Sequence, residues 1–298
     1  MSRQGVSGFR PRFFVPAVSG RSAAVGAFIS GDLTGAEFVL SSEDSHHARA
    51  VLRLQPGDAC EVVVGAPPED VVAPGAAMPG GPTSGAATSG AAVYAATVSS
   101  VGDRVVVRLQ GRLSEELAGA AYRFEVGLVQ AMARPAVMDY VFEKGTEVGA
   151  SFFMLVASAG SPSWAAASAN DRLDRWSRIV REAAKQSKQV AVPRVVFAGS
   201  PQQAVDQTAV LGARSFVLDP GASLTLEAAL SDPGGRWPGA IAGPIALWVG
   251  PESGWTEGET KLFERAGFTS ARLGRSVLRT ETAGAVAVAV ARLALGDW

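Results

Sequence analysis

Two hydrophobic rhythms run along the chain. Up to about residue 112 the apolar positions come in short β-branched runs: Arg12-Phe13-Phe14-Val15, Glu37-Phe38-Val39-Leu40, Cys60-Glu61-Val62-Val63-Val64, Val93 to Val98, and Val105-Val106-Val107-Arg108-Leu109. Turn signals such as Pro56-Gly57-Asp58 and Val101-Gly102-Asp103 separate them, and the pattern predicts a small β-barrel. One helix interrupts it, through His46-His47-Ala48-Arg49-Ala50-Val51-Leu52-Arg53-Leu54, with Ser42 or Ser45 as its cap.

From about Tyr122 strand-like runs (Phe124–Val129, Phe152–Val156, Val195–Phe197, Phe216–Leu218, Ile245–Val249, Thr269–Leu273) alternate with helix-like segments. That alternation predicts an α/β domain whose parallel sheet is covered by helices on both faces. Thr256 and Glu259 form a capping box for a helix closed by Gly267, and Thr280 caps the last helix with Glu281 in its first turn. The domains expected are 1–115 and 120–298. Between Gly65 and Ala92 the chain turns to Ala, Gly, Pro, Ser and Thr, which predicts a flexible insertion without chemistry.

The composition narrows the function classes. In 298 residues, 27 Lys and Arg balance 28 Asp and Glu, so nucleic-acid affinity has to come from local patches. One cysteine, Cys60, cannot form an internal disulfide, and with two histidines it is too little for a structural zinc site. No secretory signal is recognisable, and the longest aliphatic run, Ala283 to Val290, is too short to span a bilayer. A soluble protein of a reducing cytoplasm is expected.

No Gly-x-Gly-x-x-Gly follows a strand, and no Gly-x-x-x-x-Gly-Lys-Ser/Thr occurs. The stretch Gly250-Pro251-Glu252-Ser253-Gly254 fails as a hydrolase elbow because its serine comes one position late. It does follow a buried strand, where ligands of open α/β sheets bind, and a glycine there lets a ligand touch backbone amides. A second such place is Leu273-Gly274-Arg275-Ser276-Val277-Leu278-Arg279-Thr280-Glu281, where a strand ends, a loop follows and a helix begins. Taken alone, Thr280 is a cap and the charges beside it a surface pair; the two segments together suggest a site.

Helical spacing from Arg172 to Lys188 puts Leu173, Trp176, Ile179, Val180, Ala183 and Ala184 on one face. Arg178, Arg181, Lys185 and Lys188 gather opposite, either as a solvated stripe or as an RNA-phosphate contact. In the first domain Arg10, Arg12, Arg49 and Arg53 make a second candidate basic patch, in which His46 and His47 read as structural.

At these motifs the sequence resembles the RsmE family of 16S ribosomal RNA uridine-N3 methyltransferases, within the SPOUT superfamily. The resemblance rests on Arg12-Phe13-Phe14, His46 to Leu54, Glu143-Lys144-Gly145-Thr146-Glu147-Val148-Gly149, Arg181-Glu182-Ala183-Ala184-Lys185-Gln186-Ser187, Val249-Gly250-Pro251-Glu252, and Leu273 to Ala283, in family order. It implies a PUA-like β-barrel RNA-binding domain, a C-terminal SPOUT α/β domain with a trefoil knot, and a homodimer. It implies S-adenosyl-L-methionine as cofactor and N3 of uracil1498, in 16S rRNA of the small ribosomal subunit, as target. Carried over by motif, Leu218, Gly250, Glu252, Leu273, Gly274, Leu278 and Thr280 hold the cofactor. Arg279, Glu281 and, from the other domain, Arg12 serve catalysis, and the two basic groups contact RNA. Neither a metal nor a membrane nor DNA is implied. Ser253 departs from the family, which usually has another glycine there. Lys185 occupies a position that is often acidic. A non-catalytic RNA-binding protein and an enzyme of a small substrate are the alternatives, which cofactor binding and RNA dependence separate.

Overall fold

The computed structural model describes residues 10–16, 33–65, 91–114, 122–231 and 243–298. Most of the expected insertion, 66–90, lies outside them. The chain divides into two compact units, and Lys185–Ala191 clusters with the N-terminal strands, apart from the rest of the second half.

In the first unit, β1 (Arg12–Val15) pairs parallel with β3 (Ala59–Val64). The rest of the sheet is antiparallel, with β4 (Ala92–Val101) beside β5 (Val105–Arg112) and β5 beside β2 (Glu37–Val39). The order is β1-β3-β4-β5-β2. Among the described residues β1 and β2 do not pair with each other, and these five strands form a mixed sheet. Alternate residues turn inward, as period-2 patterning requires, and Phe13, Val15, Phe38, Cys60, Val62 and Val64 share one core.

The helix of this unit departs from its predicted form. Its N-cap is Ser41, which accepts from the Asp44 amide, and neither Ser42 nor Ser45 caps it. After α1 (Ser42–His46) the coil widens into a π-helical turn over His47–Val51, and Leu54 reaches back to the Ala48 carbonyl. It therefore stops before Arg53, which has φ +53°.

The second unit is built on six parallel strands in the order β11-β9-β10-β6-β7-β8. They are β6 (Val126–Ala131), β7 (Phe152–Val156), β8 (Arg194–Gly199), β9 (Arg214–Leu218), β10 (Ile245–Val249) and β11 (Thr269–Ala271). The central strands are buried on both sides, which is why they read as continuous apolar runs. On one face Ile245, Leu247 and Val249 meet α2 (Pro135–Glu147), α3 (Ala165–Gln186), α5 (Leu226–Ser231) and α7 (Thr280–Ala294). On the other, Ala246 and Trp248 meet α4 (Pro201–Val210) and α6 (Glu257–Arg265).

One charged group closes this core. Arg292, 0% exposed near the end of α7, donates to the carbonyls of Gly149 and Phe124 and to the Ser151 hydroxyl. It meets Asp297 at 2.6 Å and lies over the Tyr122 ring. Burial pushes the guanidinium pKa down and the Asp297 carboxylate opposes that shift.

Candidate active site

Because all six strands of the second unit run parallel, their carboxyl ends share one edge, and the loops after β9, β10 and β11 meet there. Gly250 follows strand β10, and the turn behind it is closed by a bond from the Gly254 amide to the Pro251 carbonyl, 2.9 Å. Gly254 takes the positive φ, +76°, so Ser253 is spared it and the substitution there is unstrained. The turn runs into α6 through the predicted capping box. The Glu259 carboxylate accepts from the Thr256 amide at 2.8 Å, and its other oxygen accepts from the Ala159 amide at 2.9 Å. Behind the turn Trp255 packs with Trp248 and Phe263.

The loops after β9 and β11 are laced together. Asp219 donates its amide to the Ala271 carbonyl at 3.0 Å, and the Arg272 amide donates to Leu224 at 2.9 Å. Beside them opens a cavity of about 890 Å³. Leu218, Gly250, Glu252, Leu273, Gly274, Leu278 and Thr280 all border it, as do Arg279 and Glu281. Leu218, Leu273 and Leu278 are half-buried and give it apolar walls, whereas Glu252 and Arg279 are exposed at its mouth.

Thr280 is placed otherwise than predicted. The N-cap of α7 is Arg279, and Thr280 is the first helical residue. Its hydroxyl is committed elsewhere, donating to the Gly250 carbonyl at 2.7 Å and accepting from Gln130 at 3.0 Å. It thereby ties two of the three loops together.

Two residues of the site escaped sequence reasoning. Gln130 is 0% exposed at the end of β6, and its signal was a lone polar residue in the apolar run Val126–Ala131. Arg134 borders the cavity and faces Glu252 at 3.4 Å, both well exposed, a pair that contributes little to stability. Among the described residues no cluster of His, Cys, Asp and Glu is suited to a metal ion.

The basic residues fare unevenly. Arg12 is not available as a surface or catalytic cation: its side chain is 1% exposed, paired with Glu61 at 2.8 Å and donating to the carbonyls of Lys188 and Gln189. Lys185 is also buried, against Asp44, and so leaves the proposed stripe; a buried charge needs such a partner. Helix α3 ends at Gln186, so Lys188 lies beyond it at φ +59° and pairs with Glu61 at 3.0 Å. Arg10, Arg49, Arg53 and Arg178 are exposed and Arg181 is half-buried. Arg49 donates to the Gly102 carbonyl.

Comparison with known proteins gives a consistent picture. The RNA methyltransferase domain family matches residues 121–292. A curated relative named ribosomal RNA small subunit methyltransferase E, from Mycobacterium bovis, is 29% identical over 269 residues, 89% of each chain. The protein of that name from Bacillus subtilis is 32% identical over 148 residues, 49% of this chain and 57% of the relative. Among solved structures, a ribosomal RNA small subunit methyltransferase E from Neisseria gonorrhoeae bound to S-adenosyl methionine superposes with a TM-score of 0.69 at 23% identity, covering 96% of this chain and 98% of that one. A methyltransferase from Legionella pneumophila, in complex with the same cofactor, gives 0.68 at 21% identity, covering 96% and 98%.

Proposed function

The chain belongs to the RNA methyltransferase family, and on that premise we propose that it transfers a methyl group from S-adenosyl-L-methionine to N3 of one uridine, uracil1498, in the 16S ribosomal RNA of the small subunit. The observation that carries this reading is the convergence of three strand-end loops and the start of α7 on one cavity.

The residues present fit the cofactor. The cavity volume lies in the range of small-molecule sites, roughly 300–1,000 Å³. The wall at Gly250 is tight, since a Cβ there would stand 3.2 Å from the Trp255 ring, whereas Gly274 faces open space. Leu218, Leu273 and Leu278 offer apolar contact suited to adenine, and the loop backbones supply polar groups. When bound, S-adenosyl-L-methionine supplies an electrophilic methyl on a sulfonium that leaves as a thioether.

The remaining work falls to side chains at the cavity mouth. Uracil N3 bears a proton that must go before the nitrogen attacks, and negative charge then spreads over the neighbouring carbonyl oxygens. Arg279 stabilises that charge. Glu281, in the first turn of α7, takes the proton directly or through water. Arg134 faces Glu252 at the rim, where its guanidinium orients the base or an adjacent phosphate.

The same proposal includes a PUA-like RNA-binding first unit, a SPOUT-type second unit with a trefoil knot, a homodimer and a cytoplasmic location. The lacing of the loops after β9 and β11 supports the knot. Exposed Arg10, Arg49, Arg53 and Arg178 support RNA contact through phosphates. No described helix is long and apolar enough to cross a membrane.

Nucleoside mass spectrometry of 16S RNA tests the reading. Deletion of the gene removes 3-methyluridine and complementation restores it; an unchanged 3-methyluridine level in the deletion strain overturns the assignment.

A further inference from the structure

We propose that Gln130 is a positioning residue that sets cofactor affinity by holding the Thr280 hydroxyl against the Gly250 carbonyl, a role that deepens, and rests on, the methyl-transfer reading. The orientation of its carboxamide is fixed by chemistry. One atom of the amide lies 3.0 Å from the Ala131 carbonyl, which only accepts, so that atom is the nitrogen. The same nitrogen donates its second hydrogen to the Thr280 hydroxyl oxygen at 3.0 Å. With its oxygen receiving that bond, the hydroxyl donates at 2.7 Å to the Gly250 carbonyl. The relay thus has one polarity, running from β6 through the first residue of α7 to the turn after β10.

Two further observations mark this as a built arrangement. Among the described residues Gln130 Oε1 is buried and has no hydrogen-bond partner, a cost that a leucine or methionine in the same space would avoid. One helical turn beyond Thr280, Gly284 lets α7 seat closely on β6. A Cβ there would come within 3.2 Å of Leu128 Cδ1 and 3.5 Å of Gln130 Oε1. The fold therefore makes room for an amide of which only the nitrogen is paired. What the amide gains is orientation. The Gly250 peptide borders the cavity, and Pro251 behind it has no N–H with which to anchor the turn. Without Gln130 the Thr280 hydroxyl is free to rotate away, and the turn loses its tie to α7.

The test compares Gln130→Met, Thr280→Val, Thr280→Ser and the double variant Gln130→Met/Thr280→Val. Hydrogen exchange on the protein without cofactor reads the tie itself, and calorimetric titration with S-adenosyl-L-methionine reads its consequence. Gln130→Met should speed exchange in the segment 250–256 at least tenfold while leaving β7 unchanged, and should weaken cofactor binding about tenfold. Thr280→Val should do the same, the double variant should be within about twofold of either single one, and Thr280→Ser should bind as the parent does. Unchanged exchange and affinity in Gln130→Met, or losses that multiply in the double variant, overturn the proposal. If Gln130→Met does not fold, Thr280→Val against Thr280→Ser decides by the same two readouts. A parent protein that binds no cofactor, with the exchange effect present, overturns the methyl-transfer reading and the affinity role while leaving the tie.

Discussion

Arg12 and Glu61 face each other across the parallel pair β1 and β3 with the guanidinium 2.8 Å from the carboxylate and almost none of the arginine in water. A basic residue on a leading strand looks like a hand extended to RNA, yet this one is spent inside its own unit.

Arg12→Ala leaves Glu61 with Lys188 as its only cation among the described residues and strips a donor from the carbonyls of Lys188 and Gln189. It should therefore cost about 1–3 kcal/mol of stability in the first unit, measured by urea denaturation. Arg178→Ala, at an exposed position, should stay within about 0.5 kcal/mol. An Arg12→Ala protein as stable as the parent would return Arg12 to the surface roles that its motif suggests.

Arg292 and Asp297 obey the same logic in the second unit. Arg292→Met strips donors from two carbonyls and leaves Asp297 with the amides of Arg123 and Phe124 and the exposed Arg123 guanidinium at 3.7 Å. A loss of about 3–5 kcal/mol is expected, with cooperative melting of the second unit at a lower temperature. Asp297→Asn keeps an acceptor for only one of those amides and sets its NH2 group against the other, so it too should destabilise the second unit.

Arg279 should behave differently from both, being exposed at the cavity mouth. Arg279→Ala should leave the melting temperature and cofactor affinity near the parent values and lower methyl transfer about 100-fold, the scale of losing one charge-stabilising group. Methyl transfer at the parent rate, with cofactor bound, would remove Arg279 from the chemistry.

Cys60 supplies a prediction in pH. Burial first, then the charges of Glu61 and Asp58, push its thiol from the ordinary 9.0 up to about 12. Between those values the unfolded chain has released a proton that the folded one keeps, so stability falls as pH rises from about 9, by up to ~1.4 kcal/mol per unit. Below pH 9 the group contributes no slope. Urea midpoints at pH 8, 9 and 10 should show the fall, and Cys60→Val should lessen it. In the native protein the thiol should resist alkylation at pH 8 and react once unfolded.

Much of this was legible in the sequence, for reasons that also mark the boundary. The strands of the second unit announced themselves because parallel strands are buried on both faces, and Thr256 with Glu259 because a capping box is local. The turn at Gly250 and the loop from Leu273 were legible for the same reason. Lys185 and Arg12 were not, since their partners, Asp44 and Glu61, are 141 and 49 residues away and helical spacing knows nothing of them. Thr280 looked like a cap because its neighbours are those of a helix start. The carbonyl that claims its hydroxyl belongs to Gly250, 30 residues earlier. Gln130 lies 150 residues from Thr280 and was visible only as an anomaly in an apolar run.

The most direct test of the whole account is the position of S-adenosyl-L-methionine in crystals of this protein grown with it. Density is expected in the cavity bordered by Leu218, Gly250, Leu273 and Leu278, with the methyl group turned toward the mouth where Arg279 and Glu281 stand. Density at any other place, or that cavity left to solvent at saturating cofactor, would contradict it.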